Sequence, residues 1–305
     1  MNTTRRLLAI VLCSSLLAAA PLMTGCPPPP PPNHLFAVAI IADPHVTGEP
    51  GSENARRLAA CVDWINAHRE ELRIELTLVV GDLIKDTVTW EGKEILDTLA
   101  IPYVPIFGDN EVHTNEAFFA SMYALQYDYL ATIFDNWTKA PSPVWNPEFG
   151  RYSYFQNFSF DYRDIHFVGL DWCSRSPDWI LGELADLHDF EGGTLPWFMN
   201  DIANCQKSYG ENIIMISHHP MHEFIGAFTA EEDAVIENFT AAYGDYVYAD
   251  LAGHYHVGSH ETRTVGQYEL YVNEATIFGL NNVALLRVYN DGQSFSYYYE
   301  KVILQ

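Results

Sequence analysis

Apolar runs of four to seven residues recur along this chain, and five of them lead into short polar clusters. Leu35–Ile41 leads to Asp43-Pro44-His45, and Leu76–Val80 leads to Gly81-Asp82. Tyr103–Phe107 leads to Gly108-Asp109-Asn110-Glu111, and Ile213–Ser217 leads to His218-His219-Pro220. Tyr246–Ala249 leads, through Asp250–Ala252, to Gly253-His254-Tyr255-His256. Runs of this length and β-branched content predict buried strands. Between them the period changes. Leu58, Val62 and Ile65 fall at i, i+4 and i+7, which predicts an amphipathic helix from Ser52 to Leu72. A second helix is predicted near Trp90–Leu99, and residues 115–135 carry apolar groups at helical spacing. Helical spacing assigns Phe118, Phe119, Tyr123, Tyr127 and Tyr129 to packing rather than to a pocket wall. The three prolines of 136–150 predict a loop. Tyr152–Phe160 and Ile165–Leu170 predict a strand pair turning near Asp161–Asp164, followed by a helix over Leu195–Tyr209. The tail is all strand: Tyr268–Val272, Val283–Tyr289 and Ser294–Ile303, the last two joined by the hairpin signal Asn290-Asp291-Gly292. Strand–helix units followed by a strand-rich tail predict an α/β fold of two mixed sheets packed together with helices outside.

Groups collected past the carboxyl ends of such strands converge on one crevice. Carboxylates and imidazoles together there suit first-row transition metals such as Mn, Fe or Zn better than Mg or Ca.

The first 33 residues follow another pattern. Arg5 and Arg6 precede an apolar stretch from Leu7 to Ala20, which reads as a secretory signal over residues 1–25. The stretch is short for a membrane span, which takes about 20 apolar residues. Leu22-Met23-Thr24-Gly25-Cys26 resembles a bacterial lipobox, which implies cleavage before Cys26 and acylation of its thiol. Ordinary cleavage near Gly25, leaving Cys26 unmodified, is the competing reading. Pro27–Pro32 predicts a stiff tether, so residues 26–33 would hold a body of residues 34–305 off a bacterial membrane, on its periplasmic or cell-surface face. Cys61, Cys173 and Cys205 make an odd set without regular spacing and read as core thiols.

Charge narrows the substrate. Sixteen basic against 40 acidic residues give a net charge of −24. Such a field repels polyanions, so a nucleic-acid polymer is a poor partner. A small phosphoester drawn to a bound cation is compatible with it.

The clusters, taken in order, resemble the calcineurin-like metallophosphoesterases. That family's pattern runs D-x-H, G-D, G-N-H-[DE], H-x-P and G-H-x-H. Here these are Asp43-Pro44-His45, Gly81-Asp82, Gly108–Glu111, His218-His219-Pro220 and Gly253–His256. Each block alone is weak; all five in order, each behind a strand, are specific. The resemblance implies a four-layer αββα sandwich with a dinuclear site at strand ends. It also implies a small phosphomonoester or phosphodiester substrate, hydrolysed by a hydroxide shared between two divalent ions. Carried over by residue, Asp43, His45 and His256 would hold one ion. Asp109, His218 and His254 would hold the other, and Asp82 would bridge them. His219 reads as a supporting residue.

The third block departs from the family. Asp109 stands where a neutral amide ligand is usual, and Asn110 where a His usually contacts the phosphoryl group and helps protonate the leaving group. An amide cannot titrate. His113 is a candidate substitute acid. In an alternative register Asn110 is the ligand and Asp109 an insertion; the strand end at Phe107-Gly108 favours the first. Lys85 stands where purple acid phosphatases carry a Tyr ligand, and Leu83–Asp86 looks more like the bacterial phosphodiesterase and general phosphohydrolase branch. The missing His keeps a second reading open, a metal-binding or scaffold module on the same fold with impaired turnover.

Overall fold

A computed structural model describes residues 33–304, apart from 208–209 and 277–280. The expected signal segment, Cys26 and the proline run lie outside the described residues.

Along the chain, β1 (His34–Ile41), α1 (Glu53–Leu72), β2 (Ile74–Val80), α2 (Glu91–Leu96), β3 (Tyr103–Ile106) and α3 (Asp109–Ile133) alternate. Then come β4 (Asp135–Lys139), β5 (Val144–Asn146), β6 (Arg151–Ser153), β7 (Phe158–Tyr162) and β8 (Ile165–Leu170). Helices return with α4 (Trp179–Gly182) and α5 (Thr194–Asn204), then β9 (Ile213–Ser217), α6 (Ala230–Ala241) and β10 (Val247–Ala252). The chain closes with β11 (Ser259–Arg263), β12 (Tyr268–Val272), β13 (Asn281–Asn290) and β14 (Phe295–Leu304).

Two mixed sheets result. The first runs β14-β13-β1-β2-β3, the second β11-β12-β10-β9-β8-β7-β4. The strands β1, β2 and β3 are parallel to one another, as are β8, β9, β10 and β12. Both faces of the second sheet are covered. On β9, Ile214 and Ile216 join the core shared with the first sheet's Phe36 and Leu78. Ile213 and Met215 join the core shared with Phe198 and Ile202 of α5 and Ile236 of α6. Alternating side chains of one apolar strand thus serve two layers, which is why these runs read as unbroken apolar segments. Helix α1 covers the first sheet. It opens with the Ser52 hydroxyl accepting from the Ala55 amide and buries Leu58, Cys61, Val62 and Ile65. The architecture is the expected sandwich of two mixed sheets flanked by helices.

Three local expectations are corrected. Segment 136–150 is not all loop, since β4 and β5 lie there. β4 is an edge strand with mostly polar, exposed side chains, so it lacks alternation; Trp137 anchors it by stacking on Phe158 and Phe160. The strand expected over Tyr152–Phe160 breaks into β6 and β7. In the break, the Asn157 side chain donates to the Thr194 hydroxyl and the Gln156 backbone amide donates to Asp171 Oδ2. Helix α3 begins at Asp109 rather than near 115, and extended backbone at Asn115 kinks it. Of the aromatic set on that helix, Phe119, Tyr123 and Tyr127 are core and Tyr129 is exposed. Cys61 and Cys173 are buried free thiols and Cys205 is a partly buried one.

Candidate metal centre

All seven sequence-derived ligand candidates gather past the ends of β1, β2, β3, β9 and β10. Donor atoms of Asp43, His45, Asp82 and His256 lie within 4.8 Å of one another, as do those of Asp109, His218, His219 and His254. The Nε2 atoms of His45 and His256 are 2.9 Å apart. Asp109 Oδ1 lies 2.8 Å from His218 Nε2 and 3.3 Å from His254 Nδ1. Asp82 stands between the groups, with Oδ2 3.5 Å from His45 Nε2 and Oδ1 3.5 Å from His218 Nε2.

The strand ends are bent hard to achieve this. Asp43, His45, Asp82, His254 and His256 all have left-handed backbone, with φ between 47° and 65°. Such conformations cost about 1–3 kcal/mol each and persist where the surroundings fix them. The motif glycines leave room for the donors. Gly81 has φ +85°, and a Cβ on it would lie 2.6 Å from the His218 ring carbon Cγ. A Cβ on Gly108 would strike the Asp82 carboxylate, and one on Gly253 would lie 2.8 Å from Asp43 Oδ2.

Supporting bonds set the orientations. His218 Nδ1 donates to the Val80 carbonyl at 3.0 Å, which turns the Nε2 lone pair toward Asp109 and Asp82. The Asp43 carboxylate accepts from the His254 amide at 3.0 Å. Asn54 holds the His45 carbonyl at 2.8 Å. Asp250, buried in β10, accepts from the Ser217 hydroxyl and the Met221 amide and so braces the turn carrying His218.

Burial pushes the Asp82 carboxyl well up, with the Asp109 charge next in effect. It pushes Asp43 up to about 6, against the pull of His218 and His254. Burial, then His256, takes His45 down to about 3. Burial, then His218, takes His256 down to about 4. For Asp109 burial is outweighed by hydrogen bonds from His218 and His254, and its pKa falls well below the usual range. For His218 burial is outweighed by Asp82 and Asp109, and its pKa rises. These residues fit divalent cations. Asp43 Oδ2 is buried without a hydrogen-bond partner, and His45 Nε2 and His256 Nε2 face each other at 2.9 Å. A divalent cation would satisfy these carboxylate and imidazole donors together.

The third block sends Asp109 and Asn110 to different partners. Asp109 joins His218 and His254. Asn110 instead turns to the bridge: its side-chain amide donates to Asp82 Oδ2 at 2.7 Å and its backbone amide to Asp82 Oδ1 at 3.0 Å. His113 packs its ring against Gly182 and the Trp179 indole, and its Nε2 is buried without a partner. His222 accepts from the Phe224 amide, and His260 stacks on Tyr271 beside Glu269.

Sequence reasoning missed the role of Glu111, although it is the fourth letter of its motif. Its buried carboxylate accepts from the amides of Asp82, Ile84 and Gly108 at 3.0, 3.0 and 2.7 Å, clamping two ligand loops together. Glu183, just past α4, carries no sequence signal. Burial, then the Asp109 charge, pushes its carboxyl up to about 7.

Fold and cluster together define a metallophosphoesterase, a hydrolase of phosphoric esters. The sequence profile of the calcineurin-like phosphoesterases matches residues 36–258, and the chain belongs to that family. It is similar in structure to a dimetal phosphatase of Danio rerio, with a TM-score of 0.56 and 14% identity over 89% of this chain and 99% of that one. It is also similar to a provisional 5′-nucleotidase of Staphylococcus aureus, with a TM-score of 0.52 and 14% identity over 88% of this chain and 54% of that one. No curated protein matches the sequence.

Proposed function

We propose that this chain is an exported, lipid-anchored phosphoesterase that uses two divalent transition-metal ions to hydrolyse a small phosphomonoester or phosphodiester. Asp43, His45 and His256 would hold one ion, Asp109, His218 and His254 the other, and Asp82 would serve both. The observation that carries this reading is the division of the Asp82 oxygens between the two groups, 3.5 Å from an imidazole on each side. When bound, such a pair of ions supplies Lewis acidity toward a phosphoryl oxygen and lowers the pKa of a shared water. The chain's own residues do the rest. Glu111 keeps the loops of Asp82 and Asp109 in register, and Asn110 fixes the Asp82 carboxylate. Asn110 can donate a hydrogen bond but not a proton, so it offers the leaving group no general acid. The strong negative charge of the chain favours small esters over polyanions.

The test is a panel of aryl, alkyl and nucleotide esters assayed with Mn²⁺, with Zn²⁺ and with chelator, on the parent and on Asp82→Ala. The parent should carry close to two ions at this site and turn over at least one ester. Asp82→Ala should lose most of both ions and about 10³-fold or more in rate, since several kcal/mol of charge stabilisation goes with them. Unchanged turnover in Asp82→Ala would sink the proposal. Two bound ions with no turnover of any ester would favour the binding or scaffold reading, which the engagement of Asn110 with Asp82 supports.

A further inference from the structure

Away from the dimetal cluster, His188 is wholly buried on the loop ahead of α5. Its Nε2 lies 2.9 Å from the carbonyl oxygen of Cys173. A carbonyl only accepts, so Nε2 carries the proton, and in a neutral ring Nδ1 is then a bare lone pair. This Nδ1 is buried and has no hydrogen-bond partner. It faces Asp186 Oδ1 at 3.6 Å and Glu148 Oε2 at 4.0 Å. A lone pair aimed at two ionised carboxylates is repulsive unless a proton or a cation stands between them.

The three groups are held in place by their own backbone. The His188 amide donates to Asp186 Oδ1 at 2.7 Å, and the His188 backbone is left-handed, with φ 49°. Glu148 lies in the turn between β5 and β6, where its amide donates to Asn146 Oδ1 at 2.9 Å.

We infer that Glu148, Asp186 and His188 form a further divalent-cation site, independent of the dimetal centre, that takes Zn²⁺ or Mn²⁺. The donor set of one imidazole and two carboxylates suits those ions. Bonds of about 2.0–2.2 Å in a tetrahedral arrangement place donors about 3.4 Å apart, so 3.6 and 4.0 Å need only slight closure. The ring is held as His218 is held, one nitrogen on a carbonyl and the other toward carboxylates. The Glu148 side chain is 40% exposed, which leaves an entry path and room for water ligands. A cation here would tie the β5–β6 turn to the loop ahead of α5.

The experiment counts metal by elemental analysis after the purified chain is stripped with chelator and reloaded with Zn²⁺ or Mn²⁺. Glu148→Gln combined with Asp186→Asn should bind one equivalent fewer than the parent. The same difference of one should appear in an Asp82→Ala background, so failure of the dimetal reading leaves this test intact. Glu148→Gln alone, at an exposed side chain, should weaken the site without threatening the fold. Equal stoichiometry in parent and double variant would overturn the inference. So would nitrogen NMR showing both His188 nitrogens protonated in the loaded chain, because an imidazolium would then be the positive charge.

Discussion

Gly108→Ala isolates the geometry on which the dimetal reading depends. Gly108 has φ −101° and ψ 177°, which alanine adopts without strain, so the perturbation is one of space rather than backbone freedom. The added Cβ would lie 2.8 Å from Asp82 Cγ, and closer still to the Asp82 Oδ1 and amide nitrogen. Ordinary carbon contacts begin at about 3.5 Å. The Asp82 carboxylate must therefore move by on the order of 1 Å, and its amide cannot move without breaking the bond to Glu111. Overpacking of this kind costs about 1–3 kcal/mol, and about 2–4 °C of Tm goes with each kcal/mol in a domain of this size. The fold should survive, but the site should not. Misplacement of about 1 Å is worth about 10²-fold in rate, and a displaced bridge should weaken both ions. The assay is metal content, turnover of the best ester and Tm, with Gly258→Ala as control. A Cβ on Gly258 meets only Glu274 and Val272 atoms at 3.5–3.7 Å, so that variant should resemble the parent. If Gly108→Ala keeps both ions and turns over within about threefold of the parent, Asp82 is not the bridge.

Three further outcomes follow from other parts of the chain. Because Asn110 cannot supply a proton, rates should depend steeply on leaving-group pKa; Asn110→His should flatten that dependence by raising alkyl-ester turnover, toward the 10²–10⁴-fold typical of general acids, whereas a flat dependence in the parent would mean another group already serves as acid. His166 is predicted to make stability fall at alkaline pH. Burial alone would lower its pKa, but bonds to Asp161 and Asp201 at 2.6 and 2.8 Å raise it to about 9 from 6.5. A raised pKa means its contribution is full below pH about 6.5 and lost as pH rises through about 9, up to about 3 kcal/mol. Denaturant unfolding at both ends of that window should show the loss in the parent and not in His166→Gln, and an equal loss in both would refute it. Finally, Cys26→Ser should move the chain out of the membrane fraction if Cys26 is the acylated residue of the lipobox; unchanged partitioning would end that reading.

Much of the site was legible in the sequence because its donors sit beside strand ends, a local relation that apolar runs and motif order report directly. The glycines at 81, 108 and 253 were legible as letters, but the atoms they make room for were not, since His218, Asp82 and Asp43 approach them from other strands. The same limit explains Glu111, whose carboxylate spans to a loop 27–29 residues away. It explains Glu183, brought toward Asp109 by packing alone, and the meeting of Glu148 with Asp186 and His188. The edge strand β4 was lost for the opposite reason: its side chains are mostly polar and exposed, and Trp137 alone is too little alternation to mark a strand. The sequence by itself determined which strands would be buried, in what order their polar ends would come, and the types of donor they would carry. Only the tertiary structure decided that Asp82 stands between two groups, that Asn110 turns to it, and that His113 packs against Gly182. Strand burial follows from local hydrophobic pattern, whereas these choices are set by contacts between segments far apart in the chain.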